Sequence, residues 1–454
     1  MNLDAFKRKL ARLPMATPAS VLALPDPTAE RTADRPEDEA RRARIAQLRA
    51  MIGQVAGRSR AALKDRVVAL DTPKHARLHR GVVELPGVLE TTALGPLHRR
   101  SIILEPHHAH GMVPIVGSLA VSGATIAGLA LDDGLATVDP RRFLYLDTET
   151  TGLAGGTGTL PFLVGMAYFE DESLVIEQLL LRKPGEEKPI LARLAERIAS
   201  ASAIVTYNGK SFDWPLLRTR AVLNRVPLAA PAAHLDLLHC ARRVLGPRLS
   251  QLGESVRLVS VEAQVLGMHR QGDIDGAEIP ERFWNFVRGA DASELVPVLE
   301  HNALDLVALA AILVVLAERW DAVLPSHAPE DRLAIARTAL RFGDRGRAYD
   351  WARAASDAGG SDALTCEALK LAATVQRRNS DAASAVDLLE QALRVAAADQ
   401  RAKLHLELSK LLEHRMRDLS GALTSAILAR GAESEEANQK RIARIEKKRS
   451  KRAA

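Results

Sequence analysis

The run Leu146-Asp147-Thr148-Glu149-Thr150-Thr151-Gly152 closes a strand-like stretch that begins at Phe143. Side chains on a strand alternate between faces, so Asp147 and Glu149 point the same way. Two ionised carboxylates one pleat apart repel each other and are costly unless a cation lies between them. Hard cations such as Mg²⁺ take oxygen ligands, often only one or two carboxylates each, which leaves positions for water and phosphate oxygens. Most Asp-x-Glu pairs are solvated surface carboxylates, so the companions of this one along the chain have to decide.

Two further segments supply candidates. In Thr206-Tyr207-Asn208-Gly209-Lys210-Ser211-Phe212-Asp213-Trp214 a strand hands over to a helix. Asp213 at the helix start is either a third metal ligand or a first-turn acid that favours the helix dipole. Asn208 either holds a substrate strand or ties down the turn. His301-Asn302-Ala303-Leu304-Asp305 lies in a helical stretch, Glu294–Glu318, and its His301 and Asp305 are four apart on one helix face.

The segments around these residues set the fold. Phe143–Asp147, Phe162–Phe169 and Leu174–Leu181 read as strands, Ile190–Ile198 as a helix, and Ala203–Tyr207 as another strand before another helix. Strands in a meander followed by alternating helix and strand predict an α/β domain over residues 141–320, with a mixed sheet flanked by helices. Upstream, residues 1–38 read as a short basic helix and a Pro-rich linker, and residues 39–140 as an amphipathic helix followed by a strand-rich accessory region. After Pro329 strand signals cease. Similar helical phrases begin at Ala348, Ala385 and Ala422, a 37-residue interval that predicts stacked helix-turn-helix repeats over 329–435.

The 454 residues carry a net charge of +6, and its location matters more than its size. Eight basic residues against Glu446 give residues 440–452 a charge of +7, so the other 441 residues sum to −1. Residues 436–454 therefore read as a basic tail, disordered or a frayed helix, acting as a salt-sensitive tether for a polyanion. Two cysteines exclude a disulfide framework and suit a reducing, cytoplasmic setting. The uninterrupted apolar run Leu306–Ala317 falls short of the roughly 20 residues that span a bilayer, so a buried helix and no membrane are expected. Three other features read as structural: Gly155-Gly156-Thr157-Gly158 as a hairpin turn, His107-His108-Ala109-His110 as a solvated or hydrogen-bonded turn, and Asp236 as a scaffold acid.

In this order the three acidic segments resemble the motifs of the DEDD superfamily of 3′→5′ exonucleases, whose fold is ribonuclease-H-like. Asp147-x-Glu149 followed by Thr-Thr-Gly looks like the first motif of bacterial proofreading exonucleases. Asn208-x-x-x-Phe212-Asp213 looks like the second motif of family B polymerase exonuclease domains. Thr151–Gly158 with Phe162-Leu163-Val164-Gly165, Asp273-Ile274-Asp275-Gly276 with Ile279-Pro280, and His301-Asn302-x-x-Asp305 resemble the YprB-like family of stand-alone exonucleases more closely. The C-terminal phrases loosely resemble tetratricopeptide-type helical pairs.

The resemblance implies phosphodiester hydrolysis at single-stranded DNA or RNA ends with two divalent ions, Mg²⁺ or Mn²⁺. Asp147, Glu149, Asp213 and Asp305 would be the ligands, and Thr148, Asn208 and Lys210 would contact substrate. Members of the superfamily orient the water with a Tyr four residues before the last Asp or a His five before it. Here His301 stands four before and Glu300 five before, so His301 takes that role, with Asn302 as the alternative. The repeats would offer a surface to a protein partner or cap the nuclease domain. Two other readings compete: a catalytically silent nucleic-acid-associated scaffold, and a ribonuclease-H-fold endonuclease.

Overall fold

The computed structural model describes residues 84–152 and 158–453, which belong to one unit, Arg80–Ala454. The helices expected in residues 1–13 and from Glu39, the linker between them, and most of the Gly155–Gly158 turn lie outside the described residues. Seven strands form the main sheet: β1 (Val88–Thr92), β2 (Gly95–Leu104), β5 (Phe143–Thr150), β6 (Pro161–Glu170), β7 (Ser173–Leu180), β8 (Ala203–Thr206) and β9 (His234–Asp236). Their order is β1-β2-β7-β6-β5-β8-β9, while β3 (Ala109–His110) and β4 (Val113–Pro114) pair separately. Pairing is antiparallel from β1 to β5 and parallel across β5, β8 and β9, as a meander followed by crossovers requires.

One expected boundary does not hold. β1 and β2, assigned from sequence to an accessory region ending at residue 140, extend the central sheet through antiparallel pairing of β2 with β7. Hydrogen bonding to a sheet edge leaves no mark on local periodicity, so the two strands read as separate. The same region also contains a helix, α1 (Gly123–Ala130), capped by the Ser122 hydroxyl.

Alternation along β5 gives the sheet its two cores. Phe143 and Tyr145 face a cluster that includes Leu306, Leu309, Leu313 and Leu316. Leu144 and Leu146 face the other side, with Leu191 and Leu194 of the helix Glu187–Ser200 (α2). Phe162 on that side stacks on Phe283 at 4.3 Å between ring centroids. By the same alternation Asp147 and Glu149 lie on the face of Phe143 and Tyr145. Four short helices complete the domain: α3 (Asp213–Asn224), α4 (Leu237–Val244), α5 (Gly246–Gln251) and α6 (Leu258–Val261), with α7 (Ile279–Val287) leading to the long helix α8 (Val296–Asp321). The stretch Ala292–Asp321 is long and apolar enough by composition to cross a membrane, and two-thirds of its most apolar window is buried inside the protein.

Three helical pairs follow: α9 (Pro329–Phe342) with α10 (Arg345–Ser356), α11 (Asp362–Arg378) with α12 (Ala382–Val395), and α13 (Ala398–Leu411) with α14 (Leu419–Leu428). The 37-residue interval is carried by two repeated devices. Asp344, Asp381 and Asp418 cap the second helix of each pair with their side chains, and Ala348, Ala385 and Ala422 are fully buried one turn later. The first pair is riveted to the α/β domain: buried Asp331 accepts from Arg248 and from Arg319 near the end of α8.

The C-terminal residues depart from the loose tail read in the sequence. Glu435–Ala453 is a helix, α15, with Ile445 fully buried. Arg444 makes a two-pronged contact with the buried Glu413, at 2.9 and 2.7 Å, and Lys448 adds a third hydrogen bond at 2.8 Å. The charge run misled because a buried acid 31 residues upstream of Arg444 neutralises one face of it.

The Arg444 contact, against the opposing effect of burial and with help from Lys448, holds the Glu413 carboxyl down at about 2. A lowered carboxyl favours the folded state when ionised, so its contribution is complete above the unfolded value near 4.5 and shrinks as pH falls toward 2. Glu413→Gln should therefore cost about 2–3 kcal/mol at pH 7. Unfolding midpoints of the two proteins should converge as the pH is lowered below 4.5.

Candidate active site

The carboxyl ends of the parallel strands β5, β8 and β9 open onto one corner, where ligands of open α/β sheets gather. Asp147 and Glu149 come from the end of β5, Asp213 from the first turn of α3, and Asp305 from α8. Asp147 and Glu149 are partly exposed, Asp213 is buried, and the Asp305 side chain is 16% exposed, so the corner is sheltered yet reachable.

These acids act on one another. Burial, followed by the charges of Asp305, Glu149 and Asp213, raises the Asp147 carboxyl well above its ordinary range. Burial, with Asp305 next, pushes Glu149 up to about 8. Burial lifts Asp213 to about 6 even though the Thr148 hydroxyl donates to it. Asp305 is raised by burial, which outweighs Arg270 and His301. Among the described residues no three acid or imidazole groups are yet drawn in to metal-ligand distance. Four crowded acids with too little positive charge nevertheless form the oxygen-donor set that suits hard divalent ions.

α8 reaches the sheet here because Gly165 has no side chain. Gly165 pairs with Asp147 across β5–β6, and a Cβ on it would lie 2.1 Å from Asn302 Oδ1. Along the same row of the sheet, Gln178 of β7 pairs with Gly165 and Arg100 of β2 pairs with Gln178. A chain of side chains spans this row. Arg100 donates to Gln178 (3.3 Å), Gln178 donates to Asn302 Oδ1 (2.9 Å), and Asn302 Nδ2 donates to Asp147 Oδ2 (2.8 Å). Gln178 also donates to the Leu299 carbonyl at 2.7 Å. Asn302 and Gln178 are fully buried, and the two donations from Gln178 fix which end of the Asn302 amide faces Asp147. Asn302, the sequence alternative for orienting water, is thus committed to Asp147.

His301 is held from the other side. Its Nδ1 lies 2.7 Å from Asp273 Oδ1 and its Nε2 lies 3.8 Å from Asp305 Oδ2. Burial lowers the imidazole, but Asp305 and Asp273 outweigh it and hold His301 above its ordinary value. Arg270 completes this side, with its guanidinium 2.5 Å from Asp305, 2.8 Å from Glu262 and 3.1 Å from Asp273. Glu262 is fully buried and is also bound by His110 Nε2 at 2.6 Å. That contact accounts for one member of the histidine cluster as hydrogen-bonded, though on strand β3 and not in the turn expected. Sequence reading missed Arg270 entirely and quoted Asp273 without giving it a role.

The three expected substrate contacts are placed differently. Thr148 is buried and its hydroxyl donates to Asp213 Oδ1 at 2.5 Å, so it positions Asp213. A threonine between two strand acids reads as alternating outward, and only the fold brings α3 beside it. Asn208 adopts a left-handed conformation (φ 70°), which asparagine tolerates. The backbone N–H groups of Asn208 and Lys210 donate to Asp236 at 2.8 and 3.1 Å, so Asp236 shapes the turn that presents Asp213. Lys210 is exposed, and after burial its charge is the next influence that lowers the His234 imidazole.

Gly165→Ala should force α8 away from the sheet, with an overpacking cost of about 1–3 kcal/mol. Gln178→Leu should leave the Asn302 amide free to turn, and costs of about 1–3 kcal/mol are expected for the buried groups it strands. Thermal unfolding of the two variants measures both.

Residues 144–317 match a family model described as the RNase H superfamily, a range that contains all four acids and His301. The uncharacterized protein YprB of Bacillus subtilis (strain 168) is 30% identical over 287 residues, which cover 62% of this chain and 67% of that protein. With its mixed sheet, flanking helices and acids at the strand ends, the chain carries an RNase H superfamily domain over residues 144–317 and belongs to the same family as YprB.

Proposed function

We propose that the protein is a divalent-metal-dependent 3′→5′ exonuclease that hydrolyses phosphodiester bonds at single-stranded DNA or RNA ends. The observation that carries this reading is the convergence of Asp147, Glu149, Asp213 and Asp305 beside an imidazole held by its own carboxylate. Two ions such as Mg²⁺ or Mn²⁺, when bound by these acids, would supply the charge that steadies a scissile phosphate and activates water. The protein's own groups do the rest. Asn302 fixes Asp147, Thr148 fixes Asp213 and Arg270 fixes Asp305.

With Nδ1–H donating to Asp273, Nε2 of His301 is the atom that takes a proton from the attacking water. The water oxygen bonds to phosphorus, the bond from phosphorus to the 3′ oxygen of the preceding nucleotide breaks, and that oxygen leaves as an alcohol after gaining a proton. The side chains of Asn208 and Lys210 are proposed contacts to the strand at the mouth of the site. The helical pairs, read as tetratricopeptide-like, are proposed to receive a protein partner, and a cytoplasmic setting suits the two buried free cysteines.

One observation favours a second reading, a catalytically silent nucleic-acid-associated scaffold. The Arg270 guanidinium occupies Asp305, and a permanent pair there would remove the fourth ligand.

One assay separates these readings from each other and from an endonuclease. Wild type and Asp147→Ala are incubated with 3′- and 5′-labelled single-stranded RNA and DNA in Mg²⁺, Mn²⁺ or EDTA. The expected result is stepwise shortening from the 3′ end that requires metal and is abolished by Asp147→Ala. Internal cuts would assign an endonuclease, and no metal-dependent cleavage would overturn the enzyme reading. His301→Asn should lower the maximal rate by about 10²–10⁴-fold while leaving the unfolding midpoint in place.

A further inference from the structure

The basic residues of α15 divide by whether an acid pairs with them. Arg444 and Lys448 bind Glu413, Arg441 binds Glu433 and Lys440 binds Glu436. Lys447, Arg449, Lys451 and Arg452 are exposed and have no acidic partner among the described residues. Before α14, Arg415 in the π-helical segment Leu412–Met416 and Arg417 just after it are also exposed and without an acidic partner among the described residues. Arg452 donates to the Arg417 carbonyl at 3.0 Å, which ties the end of α15 to that segment. Between the two lies a cleft of about 310 Å³ lined by Arg417, Asp418, Leu419, Ser420, Arg449 and Arg452. Its one acid, Asp418, accepts from the Ser420 and Gly421 N–H groups, and Glu446 is exposed on the helix itself. Six exposed cations and two acids thus lie on α15 and the segment before α14, and three of the cations, Arg417, Arg449 and Arg452, line the cleft.

Docking changes what this charge can do. A free tail would hold its cations at variable spacing, whereas the docked helix sets Lys447 and Lys451 one turn apart on one stripe. Ile445 is fully buried beneath the helix and Ile442 packs against the same core, so no apolar stripe on α15 remains for a bilayer. No Phe, Tyr or Trp follows Trp351 in the sequence, so the surface lacks the large aromatic rings on which bases stack. What remains suits the repeating phosphates of a nucleic-acid backbone, read by charge alone.

We propose that the exposed cations of the closing helix α15 and of the segment before α14, centred on the Arg417–Arg449–Arg452 cleft, form a second nucleic-acid-binding surface, sequence-independent and separate from the acid cluster. The choice of polyanion rests on the nuclease reading given above. Binding of the full-length chain to labelled single-stranded DNA and RNA 30-mers of unrelated sequence is followed by fluorescence anisotropy in EDTA over a range of salt. It is compared with a Lys447→Gln/Arg449→Gln/Lys451→Gln variant, whose altered residues are all exposed.

The expected result is weaker binding to every sequence. The slope of log affinity against log salt should fall by about 2, at roughly 0.7 per lost phosphate contact. The maximal cleavage rate in Mg²⁺ should be unchanged. An unchanged slope would overturn the proposal, and so would loss of binding to phosphatidylserine vesicles with oligonucleotide binding intact. A fall in maximal cleavage rate would also overturn it, by placing these residues in the catalytic machinery. If the wild type binds with the expected slope but cleaves nothing, the exonuclease reading fails and the binding surface stands.

Discussion

Four carboxylates from three elements share one sheltered corner, and keeping mutually repelling charges together is the constraint to which the surrounding structure answers. Each acid is restrained by a different device. Asp147 accepts from an amide whose orientation is fixed two residues deep, Asp213 accepts from Thr148, and Asp305 is paired with Arg270. Burial still raises all four, to about 8 for Glu149 and about 6 for Asp213, and the charges of the neighbouring site acids add to it at Asp147 and Glu149. Restraint without neutralisation keeps the oxygens available as a set, which is the condition a hard cation would relieve.

That restraint depends on a close approach. Gly165 lets α8 settle against β6, and the row Arg100, Gln178, Gly165 and Asp147 crosses four strands beneath Asn302. From the same corner the 26-residue helix α8 runs on to Trp320 and Asp321, where the α/β domain meets the helical pairs. Thr125 donates to Asp321, and Arg319 shares Asp331 with Arg248. The site and the repeats are thus built on opposite ends of one buried helix.

Much of this was legible in the chain, for definable reasons. Strand alternation placed Asp147 and Glu149 on one face, helical spacing placed His301 beside Asp305, and the 37-residue interval marked the second helix of each pair. The parts that were not legible depend on partners far away in sequence. Asn302 and Asp147 are separated by 155 residues, and Gln178 and Asn302 by 124. Only the register of four strands shows that their amides align. Thr148 looked like a substrate contact because its local pattern cannot reveal that α3 lies beside it. The basic C-terminal run looked like a tether because Glu413, the acid that docks it, is hidden in another helix. β1 and β2 looked separate because joining a sheet edge is a property of the partner strand.

If the acid corner is a site for divalent cations, titration of Mn²⁺ into the protein, followed by the electron-spin-resonance signal of the free ion, detects it. About two ions should bind per chain, and Asp147→Asn or Asp305→Asn should each abolish or weaken at least one of them while the protein stays folded. Absence of bound Mn²⁺, or binding that neither substitution alters, would contradict the account.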